Sequence, residues 1–211
     1  MPPQSCGNMH IPPNVRAHYI KNPMKVTVQF ILLIILSSSC YAQKGHYKNY
    51  NLTLTSILKE KEIDSNKLIL EVDKSDYKLT ILSDTVILKE YPVVFGKNPK
   101  DDKLMQGDNC TPEGIFIMNS KYPHKKWSKF IWINYPTEDS WHKHNAAIQI
   151  GIIPQSSRIG GEIGIHGVPE NMDFLIDIRY NWTLGCISLK NKDIDEIYQV
   201  ITKYSSIVIT K

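Results

Sequence analysis

The chain has 211 residues, 42% of them hydrophobic and 22% charged, the balance of an ordinary globular protein with one domain and tails. Its formal charge is +4, but residues 1–42 hold Arg16, Lys21 and Lys25 and no acidic residue. Removing those three of the 25 basic residues leaves 22 against 21 acidic ones. A body so close to neutral has no electrostatic footprint for DNA or RNA, which excludes nucleic acid as a partner.

In chain order, residues 1–23 are polar and rich in proline (Pro2, Pro3, Pro12, Pro13, Pro23). Met24-Lys25 then leads into the apolar run Phe30-Ile31-Leu32-Leu33-Ile34-Ile35-Leu36, followed by small residues and Cys40-Tyr41-Ala42-Gln43. A positive start, a short apolar run and a small residue at its end form an export signal. The run is shorter than the roughly 20 residues a spanning helix needs. Residues 1–42 therefore read as a signal peptide behind a mis-called upstream start, with Met24 as initiator and cleavage after Ala42. Lipid attachment at Cys40 is the alternative, and the membrane is met only through the signal or that anchor. Either route exports the body to the periplasm or cell envelope.

Residues 43–66 read as a leader arm or helix around Leu52, Leu54, Ile57 and Leu58, and 67–211 as the main domain. Short β-favouring runs follow at Leu68–Val72, Lys78–Leu82, Thr85–Leu88 and Tyr91–Phe95, punctuated by Asp73-Lys74-Ser75-Asp76 and Ser83-Asp84. A long loop from Lys97 to Pro112 precedes strands at Gly114–Asn119 and Lys129–Asn134. Three helices are expected. Glu138–Ile148 follows the N-cap Thr137 and carries acidic residues in its first turn. Asp173–Arg179 is short. Lys192–Lys203, capped by Asn191, presents Ile194, Ile197, Tyr198 and Ile201 on one face. Ser206–Thr210 closes the chain as a strand. The fold class is mainly β, with a few helices at the edges.

Outside the leader, the cysteines are Cys110 and Cys186. In an oxidising compartment they can form a disulfide, which is the structural reading of both. The chemical reading comes from Ile163-Gly164-Ile165-His166-Gly167 and Trp182-Thr183-Leu184-Gly185-Cys186-Ile187-Ser188. A His ending one apolar strand and a Cys opening another can meet across neighbouring strands. Nucleophilic catalysis uses that pair: the thiolate attacks, while the imidazole lowers the thiol pKa and handles the proton. Gly185 leaves amides around Cys186 free for an oxyanion, and the Gly167 carbonyl can orient the imidazole.

These motifs resemble the L,D-transpeptidase catalytic domain, also called the YkuD-type domain. Gly107-Asp108-Asn109-Cys110-Thr111-Pro112-Glu113-Gly114 resembles the family's Thr-Pro-Glu-Gly loop. Tyr91-Pro92-Val93-Val94-Phe95-Gly96, Gly160-Gly161 and Asn191 with its helix extend the likeness over about Lys67 to Tyr204. The resemblance implies a β-sandwich-like domain whose Cys186 forms a thioester with a peptidoglycan stem peptide, His166 serving as base. Gly167 and Gly185 support the pair; Trp182, Thr183, Arg179 and Ser188 are the candidates for contacting substrate. No metal or organic cofactor is implied, and envelope proteins linked to peptidoglycan are further candidate partners. Leu184 replaces a second His common in the family motif, and Ser188 stands where Arg or Asn is frequent. This Thr-Leu-Gly-Cys form leaves a peptidoglycan amidase or hydrolase, and a catalytically inactive envelope-binding module, as alternatives. His142 and His144 are two apart on a helix and point to different sides, which argues against a metal pair.

Overall fold

The protein was described from a computed structural model covering residues 47–211. The signal peptide, the start at Met24, Cys6 and Cys40 lie outside the described residues. Eight strands carry the domain: β1 (Leu68–Asp73), β2 (Lys78–Ser83), β3 (Val86–Pro92), β4 (Gly114–His124), β5 (Ser128–Ile133), β6 (Gly164–His166), β7 (Ile187–Ser188) and β8 (Ser206–Thr210). Four α-helices join them: α1 (Leu54–Glu60), α2 (Glu138–Gln149), α3 (Phe174–Asp177) and α4 (Asn191–Val200). The fold is mainly β, as the residue patterns predict, and among the described residues no helix is long and apolar enough to cross a membrane.

The strands form one sheet in the order β3-β2-β1-β8-β4-β5-β6-β7. The eleven-residue β4 joins its two halves. Gly114–Ile117 pairs with β8, and Met118–His124 pairs with β5 beyond an irregularity at Met118/Ser120. Sequence alone ends this strand at Asn119, because the polar residues that follow carry no apolar alternation. Antiparallel bonding to β5 extends it. Beyond β3, Val94 bridges Ser188 of β7, so the two ends of the sheet return towards each other. Leu70, Val72, Ile81 and Ile207 from one half share a core with Ile131, Ile133, Ile165 and Ile187 from the other. That enclosure is the sandwich-like feature, and it brings the β6–β7 edge beside the segment following β3.

Two expected boundaries move for identifiable reasons. Thr85–Leu88 and Tyr91–Phe95 read as separate strands because Lys89-Glu90 interrupts the apolar run. The structure carries β3 straight through, because Lys89 is buried and paired with Glu196 at 2.6 Å. Helix α4 begins at Asn191, not after it, and Lys190 at the cap makes no side-chain bond. The Asn191 amide donates instead to Asp173 Oδ1 at 3.0 Å, a cap supplied from another part of the chain. Thr137 does cap α2, in a reciprocal arrangement with Ser140.

Within residues 43–66, α1 is capped by Thr53 and buries Leu54, Ile57 and Leu58 in the common core. A polar network ties it to α4. Glu196 Oε2 accepts from Lys89 Nζ, from Tyr91 Oη at 2.9 Å and from the Leu54 amide at 3.3 Å. Lys89 Nζ also donates to the Leu52 carbonyl. Tyr50 Oη donates to Asp193 Oδ2 at 2.8 Å, and burial pushes that carboxyl up to about 6. Removing one partner of a buried pair strands the other charge without water. Glu196→Ala should therefore lower the unfolding free energy in urea titrations by roughly 3 kcal/mol. The Lys89→Met/Glu196→Leu double variant should recover most of the loss; equal destabilisation of both proteins would contradict this account.

Candidate active site

His166 ends β6 and is 1% exposed. Parallel pairing aligns Ile165 with Ile187 and His166 with Ser188. By that register Cys186, immediately before β7, falls level with Gly164, on the strand face that His166 also occupies. The register of the two strands thus sets His166 and Cys186 on neighbouring segments of the sheet.

The imidazole sits among rings. Trp127 stacks on it with centroids 4.4 Å apart and planes 22° apart, and Phe130 does so at 5.5 Å and 10°. Trp182 meets it edge-on at 5.5 Å. His166 Nδ1 bonds the Gly167 carbonyl at 2.7 Å. A carbonyl only accepts, so Nδ1 carries the proton and Nε2 keeps its lone pair. Burial is the largest influence on its acidity and pulls the pKa down to about 4; the Gly167 carbonyl opposes this and His124 adds to it. Gly167 is needed for its size here. A β-carbon would stand 2.2 Å from Asn191 Oδ1 and 2.7 Å from the Trp127 carbonyl.

Cys186 is half-buried, and its Sγ hydrogen donates to the Glu162 carbonyl at 3.5 Å. Burial pushes the thiol up to about 11, against smaller opposing effects of a Gly164 backbone bond and Lys103. The imidazole was expected to lower the thiol pKa. The shifts run the other way: the lowered His166 pKa and the raised Cys186 pKa both favour the neutral forms over a thiolate–imidazolium pair. Cys110, which is buried, and Cys186 are both free, so the two are not joined in a disulfide.

The loop around the thiol is braced from inside. Thr183 is buried; its hydroxyl donates to the Cys186 carbonyl at 2.7 Å and accepts the Gly185 amide at 3.2 Å. The Gly185 amide, expected to be free for an oxyanion, is therefore occupied, and Thr183 shapes the loop from within. Gly185 has φ +141°, and a β-carbon there would lie 2.7 Å from the Cys110 carbonyl. Ser188 is fully buried, with Oγ donating to the Gly167 carbonyl at 3.3 Å. Arg179 is exposed and lies over the Tyr77 ring at 5.1 Å; no carboxylate pairs with it among the described residues. Trp182 packs on Val94, Val168 and Ile176 as well as on His166.

Beneath this loop, Lys97–Pro112 is held by charges the motifs did not single out. Asp108 accepts from Lys103 Nζ, from the Leu104 and Met105 amides and from the Cys110 amide, at 2.8–3.0 Å. Burial works against its ionisation, but these bonds hold the carboxyl below its ordinary value. Lys74, also buried, pairs with Glu113 of the Thr-Pro-Glu-Gly loop at 2.7 Å. Among the described residues no set of three or more His, Cys, Asp or Glu side chains is arranged to hold a metal ion. His144 is buried with Nδ1 on the Leu104 carbonyl, while His142 faces Glu138 at the surface.

Two consequences are measurable. Gly185→Ala forces a side chain into the left-handed region against a carbonyl, and should lower stability by about 1–3 kcal/mol in urea titrations. The depressed His166 pKa sets a sign for acid sensitivity. Between about pH 6.5 and 4 the unfolded chain takes up a proton that folded His166 refuses, so this stability is present above 6.5 and lost as pH falls towards 4. The loss amounts to about 3 kcal/mol at most. His166→Gln should show a shallower decline across that window, and parallel curves would contradict the assignment.

The model of the YkuD family, the L,D-transpeptidase catalytic domain, matches residues 67–209. The helical cell shape determining protein Pgp2 from Campylobacter jejuni superposes with a TM-score of 0.50 at 22% identity, over 75% of this chain and 55% of that one. Bd1075 from Bdellovibrio bacteriovorus gives 0.48 at 20%, over 71% and 49%. An L,D-transpeptidase from Mycobacterium smegmatis gives 0.46 at 14%, over 69% and 59%. The chain thus spans about half to three-fifths of the length of these structures. Among curated proteins there is no significant match. With the family model covering most of its length, the chain belongs to the L,D-transpeptidase catalytic domain family.

Proposed function

We propose that this protein is a cysteine acyltransferase acting on peptidoglycan stem peptides in the cell envelope, with Cys186 as nucleophile and His166 as base. The observation that carries this reading is the His166 Nδ1–Gly167 bond at 2.7 Å, which leaves an unprotonated Nε2 on the strand beside the cysteine loop. The family membership supports peptidoglycan as the substrate class. The apolar run at Phe30–Leu36 behind Met24-Lys25 supports export, with Cys40 as an alternative lipid anchor.

In the proposed reaction, Nε2 takes the Sγ proton as sulfur attacks a stem-peptide carbonyl, because the thiol is not ionised at rest. The Cys186 amide is the oxyanion donor assigned here, since the Gly185 amide is bound by Thr183. The carbon–nitrogen bond breaks, the leaving amine receives the proton from His166, and a thioester remains on Sγ. An acceptor amine then gives its proton to Nε2 and attacks the thioester. The thiolate leaves and is reprotonated by the imidazolium. Water in place of the amine makes the same sequence a hydrolysis.

The test is incubation with purified peptidoglycan fragments, followed by mass spectrometry of the products. New cross-links are expected from the wild-type protein and none from Cys186→Ala, which should remain folded. Shortened stems without cross-links would place the protein among hydrolases. Unchanged fragments, or wild-type turnover by Cys186→Ala, would overturn the mechanism.

A further inference from the structure

We infer that Trp127, at the tip of the β4–β5 hairpin, is a positioning residue for the proposed base, holding His166 in one ring orientation and one tautomer. The inference rests on the assignment of His166 as base made above.

Trp127 grips the His-Gly step at two points. Its indole stacks on the imidazole at 4.4 Å, and its carbonyl accepts the Gly167 amide at 3.0 Å. Gly167 in turn supplies the carbonyl that takes the His166 Nδ1 proton. One residue therefore touches both the ring and the glycine whose carbonyl selects its tautomer. The hairpin tip is shaped around this task. His124 Nδ1 accepts the Lys126 and Trp127 amides, each at 3.2 Å, and its own ring stacks on the same indole at 4.3 Å and 14°. Ser128, at φ 56°, donates to Asp195 Oδ1 at 2.6 Å and Lys129 pairs with Asp195 at 3.3 Å, which fastens the hairpin to α4.

The flat ring is the property that matters. An indole or phenyl face in van der Waals contact blocks rotation of the imidazole and keeps water from the Nδ1–carbonyl bond. A branched aliphatic chain of similar reach fills space without a plane. The ionisable group that acts on His166 is His124 on the hairpin; Cys186 lies on the neighbouring strand register, and Lys129 pairs with Asp195 where the hairpin meets α4. None of these is a carboxylate bonded to the imidazole, so orientation falls to the rings and the Gly167 carbonyl.

The test compares Trp127→Leu and Trp127→Phe with the wild-type full chain. Nitrogen-15 NMR of the imidazoles is followed across acidic pH, and kcat and KM are measured on a stem peptide. Trp127→Leu should move the His166 midpoint up by about one pH unit or more and mix its tautomers. It should also lower kcat on the order of 10- to 100-fold with KM nearly unchanged. Trp127→Phe should keep the wild-type midpoint and tautomer and most of the kcat. A Leu variant that titrates like wild type, or a Phe variant whose His166 titrates at the ordinary value, overturns the inference. The titration needs no turnover. A wild-type protein inactive on stem peptides would therefore sink the assigned reaction, while the positioning claim still stands or falls on the midpoints.

Discussion

The bond from His166 Nδ1 to the Gly167 carbonyl, in surroundings made of aromatic rings, is the constraint around which the site is organised. It needs Gly167, because a β-carbon there would strike Asn191 and the Trp127 carbonyl. It needs the hairpin, because Trp127 holds the Gly167 amide and covers the imidazole. The strand β4 that carries this hairpin is also the one that joins the two halves of the sheet. Sheet curvature, hairpin and ring orientation are thus one mechanical unit, and the dryness that lowers the imidazole pKa is a product of that packing.

The cysteine side is built on a different principle. Its loop contains a glycine at φ +141° lying against the Cys110 carbonyl, and Thr183 satisfies the loop's polar groups from within. Below it, Asp108 and Lys103 lock the segment that supplies that carbonyl. The charge network there is positional: it fixes the turn that ends at Cys110. The pair of Lys89 and Glu196 plays the same part for α1 and α4.

Much of this was legible from local pattern, and the rest failed where the determining contacts are distant in sequence. Alternation predicts β1, β2, β5 and β8 nearly to the residue, and Thr137 announces α2 because a cap is a local device. The β3 boundary was hidden by Lys89, whose partner is 107 residues away. The α4 cap was misassigned because Asp173, not Asn191, receives the bond. His166 ends β6, as its motif indicates, and Cys186 stands one residue before β7. The electrostatics of His166 were not readable, because burial by Trp127, Phe130 and Trp182 is a property of the packed state. Thr183 and Ser188, which the resemblance offers as candidates for contacting substrate, are buried with their hydroxyls on backbone carbonyls.

The central physical claim is that the resting pair is neutral, a protonated thiol beside an imidazole with a free Nε2. The most direct measurement is the rate of Cys186 alkylation by iodoacetamide from about pH 5 to 11, in a folded Cys110→Ser background so that one thiol reports. The account predicts a rate that climbs about tenfold per pH unit with no plateau until close to 11. A plateau already established near neutral pH, lost on replacing His166, would reveal a thiolate–imidazolium pair and contradict it.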